Sequence, residues 1–308
     1  MKLSLRSLLF AAAMLVGVNF AQAEGLNFDS FEPFAKTSEA KLTLVDGCGE
    51  KSVCCEPEHI GKDFLTCKDR CGGIYFGAEA LMYRPFASSG LLDPGAGAAD
   101  LSYRLAGRGW VGYQSASGLG GRFRGFVYDH NTVTGANTAD VEVRYIDAEI
   151  TQQVDFRRWD LFLSGGLRHA ETGLLVNTAA AGFVSGFDGV GLTFGTQAVR
   201  DINRSGSLQM VMGGRWSALY GNTKTGTSVG GAAPVATATL RDNLVNVLEL
   251  NIGPQFTRQS RLGGTMVMGG GLDAQYWSNG ANGAAAPVGI GVQDLGFIGF
   301  SSTFNYYW

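Results

Sequence analysis

Asp294-Leu295-Gly296-Phe297-Ile298-Gly299-Phe300-Ser301-Ser302-Thr303-Phe304-Asn305-Tyr306-Tyr307-Trp308 alternates at period two. Ile298, Phe300, Phe304, Tyr306 and Trp308 fall on one face of a strand, and Gly299, Ser301, Thr303 and Asn305 on the other. In water an uncovered strand with so aromatic a face templates aggregation. In a membrane its apolar face meets lipid, and closing the sheet into a barrel removes the edge.

Working outward from this stretch, about ten strand-length runs lie near 73–84, 103–114, 120–130, 141–156, 159–170, 188–201, 207–221, 244–258, 262–277 and 294–307. Clusters of Gly, Ser, Asn and Asp separate them. The connections alternate in expected length. Short ones fall near 115–119, 157–158, 202–206 and 259–261, and long ones near 85–102, 131–140, 171–187, 222–243 and 278–293. Transmembrane barrels show this rhythm, with tight periplasmic turns on one rim and longer loops on the other. An even strand count puts both ends of the barrel on the periplasmic side. The long loops, rich in Ala, Gly, Thr and Ser, have no calcium-loop spacing.

The N-terminus reads as a secretory signal over residues 1–23. Lys2 and Arg6 form the basic start, Leu8 to Val18 the apolar run, and Ala21-Gln22-Ala23 the small-residue cleavage site. The alternative, a membrane anchor, needs about 20 apolar residues, which this run lacks. No other stretch reaches that length, so helical membrane spans are excluded. A net charge of -3 argues against a nucleic-acid partner. Many of the 46 glycines alternate with bulky residues in the strand-like runs, where they allow close packing in a confined interior.

Residues 24–71 differ in character, with dense mixed charge and no sustained alternation. They hold all five cysteines, Cys48, Cys54, Cys55, Cys67 and Cys71. In an exported protein disulfides are the default reading, and the odd count leaves one thiol free or paired with another chain. The adjacent Cys54 and Cys55 would bridge each other only under strain. A zinc site using His59 is the alternative, though no paired C-x2-C is present. The expected division is a signal peptide (1–23), a Cys-rich periplasmic segment (24–71) and a barrel (72–308).

Alternation also assigns the two faces of the strands. Ile74, Phe76, Ala78, Ala80 and Met82 oppose Tyr75, Gly77, Glu79 and Tyr83; Ile146, Ala148 and Ile150 oppose Asp147, Glu149 and Thr151. Arg or Lys facing mid-bilayer lipid costs about 2–4 kcal/mol, so the charged face is the lumen. The lumen set is Glu79, Asp147, Glu149, Glu249 and Asp273 against Arg108, Arg122, Arg124, Arg168 and Arg215. With the signs balanced, two readings stand: an internal network of Arg–carboxylate pairs that rigidifies the barrel, or a charged constriction that selects what passes. A barrel this narrow favours the first.

His130 follows Asp129 and His169 lies near Glu171, both by the expected outer rim. Proteases of the omptin kind place an Asp–His pair and a second carboxylate pair there, and the second pair is not evident in this chain. Solvated rim histidines are the expectation. No Ser–His–Asp order, zinc-protease motif or phosphate loop is present, and neither an enzyme nor a cofactor is expected.

The ordered series Gly77-Ala78-Glu79-Ala80-Leu81-Met82-Tyr83, Gly120-Gly121-Arg122-Phe123-Arg124-Gly125-Phe126-Val127-Tyr128-Asp129-His130, Asp147-Ala148-Glu149, Gly165-Gly166-Leu167-Arg168-His169-Ala170, Ser217-Ala218-Leu219-Tyr220-Gly221 and Asp294-Leu295-Gly296-Phe297-Ile298-Gly299 resembles the pore-forming outer-membrane family typified by the Legionella major outer membrane protein, and related planctomycete barrels. The resemblance covers most of residues 72–300 and implies a passive pore or surface protein. The cysteine cluster departs from that pattern. The aromatic ending, with Phe300, Phe304, Tyr306 and Trp308, likewise resembles the C-terminal assembly signal of bacterial outer-membrane barrels.

The expected protein is therefore an all-β, transmembrane, antiparallel up-and-down barrel of about ten strands in a Gram-negative-type outer membrane. Its expected function is a porin-like pore for small solutes or ions. The alternative is a closed structural or adhesive barrel that binds envelope or surface partners through its loops or Cys-rich segment. The partners to expect are outer-membrane lipid, the barrel assembly machinery and an envelope or disulfide-linked partner of residues 24–71.

Overall fold

The computed structural model describes residues 72–87, 102–134, 137–156, 159–179, 181–229, 232–233, 235–236, 238–260, 263–279 and 294–308. The expected signal peptide, the segment 24–71 and all five cysteines lie outside the described residues.

Ten strands follow one another: β1 (Gly73–Ala87), β2 (Arg104–Gln114), β3 (Leu119–Thr134), β4 (Asn137–Phe156), β5 (Trp159–Asn177), β6 (Ala181–Asp201), β7 (Leu208–Val229), β8 (Ala238–Gln259), β9 (Thr265–Ser278) and β10 (Leu295–Tyr307). Each pairs antiparallel with its sequence neighbours, and β10 returns to β1 to close the ring. The quoted C-terminal stretch is that closing strand. Thr303 lies opposite Glu79 and Tyr307 opposite Tyr75, whose rings stack with centroids 5.6 Å apart. Closure satisfies both edges of the sheet, which hydrocarbon demands of any spanning β-structure.

The outward positions form an apolar belt. Ile146, Ile150, Leu167, Val190, Leu192, Leu250 and Leu272 are each at least half exposed, which in water would be an aggregation surface and here is the lipid contact. Outward aromatics mark the belt's margins. Tyr113, Phe156, Phe256 and Trp308 lie toward the rim where the barrel's chain ends sit, called here the proximal rim. Phe86, Tyr220 and Tyr276 lie toward the opposite, far rim. Inside, glycines make room for rings. At Gly77 a methyl would overlap the Trp110 indole, the side chain directly across on β2. At the proximal rim Gly118 takes a φ of 82° in the β2–β3 turn, a conformation other residues adopt only with strain.

The strands extend further than the sequence pattern indicates. The expected long loops at 131–140, 171–187 and 222–243 are largely strand, which leaves only 135–136 between β3 and β4, 178–180 between β5 and β6 and 230–237 between β7 and β8. The connections after β1 and β9 remain long. β4 to β8 hold 19–22 residues each, about twice the 9–11 needed to cross a bilayer. Their extra length projects beyond the belt at the far rim, and there the polarity inverts. On β4, Asp140, Glu142 and Arg144 face outward while Ala139, Val141 and Val143 are wholly buried inside. The protruding wall thus has the inside-out pattern of a water-soluble barrel, apolar within and charged without.

Candidate functional site

Along the lumen three zones follow from the inward residues. In the far half, Leu81, Tyr83, Tyr128, Leu219, Val245, Trp277 and Phe297 belong to one fully buried apolar cluster. Toward the proximal rim the inward residues are mainly Gly, Ser, Thr, Asn and Gln, many of them half-exposed, with the rings of Tyr75, Trp110, Phe162 and Tyr307 among them. Between these zones lies a waist of charge.

The waist contains every residue of the charged set expected from sequence. Several are direct cross-strand neighbours of opposite sign: Glu79 with Arg108, Arg122 with Glu149, Arg215 with Glu249, and Asp147 between Arg124 and Arg168. Arg108 Nη1 donates to Glu79 at 2.6 Å and to Asp273 at 3.2 Å. Arg168 grips both oxygens of Asp147, at 2.7 and 2.9 Å. Arg122 Nε donates to Glu149 at 2.8 Å, and Arg215 contacts the other oxygen of the same carboxylate.

Other contacts cross the lumen. β3 and β8 stand five strands apart in a ring of ten, on opposite walls, yet Arg124 Nη2 donates to Glu249 Oε2 at 2.8 Å. Glu249 also has Arg168 Nη1 at 2.6 Å, Arg108 Nη2 at 3.6 Å and Arg215 Nε at 4.0 Å. One carboxylate therefore gathers four guanidinium groups from β2, β3, β5 and β7. With five cations and five carboxylates the waist is formally neutral, and its charged side chains are at most 11% exposed. Charge this deep is tolerable only because each group is paired.

Aromatic and hydroxyl residues complete the layer, and the charge pattern of the sequence did not single them out. The Tyr145 hydroxyl donates to Glu249 at 3.1 Å while its ring lies 4.0 Å beneath the Arg168 guanidinium. Tyr83 donates to Asp273 and accepts from Gln275 at 3.1 Å. Arg215 donates to Thr193 at 3.1 Å and Ser164 at 3.3 Å, and Thr303 donates to Glu79 at 3.2 Å across the β1–β10 seam. The signal available for Tyr145 was parity, since it shares the inward face with Asp147 and Glu149.

The histidines need correction. His130 is not a solvated rim residue: it points inward, is 4% exposed, and its Nδ1 lies 3.0 Å from the Tyr128 hydroxyl. Asp129, the next residue along an extended strand, faces the other side of the wall, so the two form no Asp–His pair. His169 does face outward, with its Nε2 3.1 Å from Asp188 Oδ1. Phe300, Phe304 and Tyr306 share the outward face of β10, and Trp308 follows directly after the strand.

No family model and no curated protein sequence matches the chain. Among solved structures it is similar to the CymD monoaromatic hydrocarbon channel, at 8% identity and a TM-score of 0.33 over 78% of this chain and 89% of that one. It is also similar to the P. putida toluene transporter TodX, at 10% identity and a TM-score of 0.31 over 77% and 89%. A third is OmpT, an outer membrane protein of Vibrio cholerae, at 10% identity and a TM-score of 0.14 over 78% and 100%. Identities this low speak to the fold alone.

Proposed function

We propose that this chain is an outer-membrane barrel of the channel type held shut at its waist, passing small ions or solutes only when the pairs across the lumen part. The observation that carries this reading is the Arg124–Glu249 bond, which joins opposite walls through the centre of the lumen. A freely open passive pore needs a wet path at that level, and there the charged groups hold one another instead of water. Below the waist the inward face of the proximal half is mainly polar. Short turns and both ends of the barrel at one rim support placing that rim in the periplasm, after export and cleavage of residues 1–23.

Planar-bilayer recording of the purified full-length barrel tests this. Brief, low-amplitude steps separated by long closed periods are expected. Large, permanently open steps would overturn the shut waist. A second reading, a structural barrel that never conducts, is favoured by the fully buried apolar cluster of the far half. A silent bilayer that stays silent after Glu249 or Arg124 is replaced would select it. On either reading residues 24–71 are the segment through which an envelope partner would attach, and non-reducing gels of whole envelopes would reveal a cross-linked species.

A further inference from the structure

The lipid-facing wall carries a hollow with a cluster of metal-binding side chains at its far end. On the outer face Ala148 lies between Phe123 and Leu167, its direct cross-strand neighbours. The next outward residues on β3 and β5 include Gly125 and Gly165, so little fills the space above the Ala148 methyl. The result is a hollow of about 210 Å³ walled by Phe123, Ile146, Leu167 and Val190, with His169 at the end nearer the far rim. Those four apolar side chains are 51–64% exposed and lie within the lipid belt, so water does not compete for the space. Only an acyl chain recovers the dispersion contacts that an empty hollow forfeits.

One row further toward the far rim, where the outer face turns polar, Arg144, Glu171 and Asp188 are cross-strand neighbours. His169, Glu171 and Asp188 each offer a ligand atom, all within 4.8 Å of one another. Arg144 is already paired with Glu142, so the local balance is acidic and would repel an anionic headgroup. An imidazole nitrogen with two carboxylates suits a divalent transition-metal ion and leaves coordination positions open for further oxygens. His169 belongs to both, and together the hollow and the donor cluster match the two halves of one amphiphile.

We propose that His169, Glu171 and Asp188 hold a divalent metal ion that bridges to the phosphate of a bilayer lipid whose acyl chain occupies the hollow over Ala148. The phosphate oxygens and water complete the coordination, and the lipid is thereby fixed at one place on the barrel wall.

The test uses the full-length barrel in dodecyl maltoside, with Mn²⁺ as the probe ion read by electron paramagnetic resonance. One Mn²⁺ per barrel is expected, weakened about tenfold or more in each of His169→Ala, Glu171→Gln and Asp188→Asn. Adding a short-chain phosphatidic acid should tighten Mn²⁺ binding about fivefold or more. Ala148→Trp, which fills the hollow, should abolish that coupling while leaving Mn²⁺ binding without lipid unchanged. Heat-dependent gel mobility verifies that each variant is folded. Mn²⁺ binding that is absent from wild type, or that is as tight in the three variants as in wild type, overturns the metal site. Coupling that survives Ala148→Trp, or that free phosphate reproduces in full, overturns the lipid.

Discussion

Arg168 and Asp147 face each other directly across the β4–β5 ladder, joined by two parallel hydrogen bonds with neither side chain exposed. The planar fork of arginine matches the carboxylate, and a lysine at this position would keep the charge while losing one of the two bonds. Asp147→Asn should therefore destabilise the folded barrel by about 3–5 kcal/mol, because it leaves buried guanidinium charge uncompensated. Denaturant unfolding followed by heat-dependent gel mobility checks this, and Arg168→Lys should fall between wild type and Asp147→Asn.

Glu249→Gln acts on conduction. It removes the carboxylate shared by Arg108, Arg124, Arg168 and Arg215, leaving the waist with one excess positive charge. The expected outcome in planar bilayers is more frequent opening with a preference for anions. Arg124→Gln cuts the same strut from the other wall and should open with a preference for cations. Reversal potentials in a salt gradient separate the two signs.

Charge tolerance on the outer wall should follow the boundary between lipid belt and protruding rim. Leu167→Arg places a cation in the belt and should cost about 2–4 kcal/mol, whereas Gly173→Arg, three outward positions further along β5 and opposite Glu142, should cost about 0–1 kcal/mol. Folding yields into vesicles across a urea series would read the difference.

Gly77→Val tests packing inside the wall. Its branched side chain would meet the Trp110 indole, and overpacking of this kind costs about 1–3 kcal/mol. A shift in tryptophan fluorescence should accompany the loss.

Much of this architecture was legible in the chain because a barrel wall has one rule, alternation, and lipid makes the rule strict. The inward set from Glu79 to Asp273 could be named before any coordinates, since the side-chain period and the cost of lipid-facing charge leave no other placement. The same rule hid the protruding rim. There Ala139, Leu174 and Val176 point inward and Asp140 and Glu171 outward, the reverse of the belt, so a reading keyed to apolar-outside strands took these segments for loops. His130 was misplaced because it closes its run at the expected rim, and the parity it shares with the inward Arg122 and Arg124 was not used. The convergence on Glu249 could not be foreseen, because which walls meet across a lumen depends on tilt and register rather than on spacing along any one strand.

Arg108 on β2 holds Glu79 on β1 and Asp273 on β9, and so clasps three strands on both sides of the place where the two chain-distant ends of the sheet meet. A strand that slips by two residues keeps every apolar side chain facing lipid, so hydrophobic patterning is blind to that mistake. The clasp is not. A two-residue slip of β10 against β1 would carry Asp273 away from Arg108 and strand charge in the buried waist. These ion pairs therefore work as error detection for barrel closure, accepting one register among several that lipid alone would tolerate.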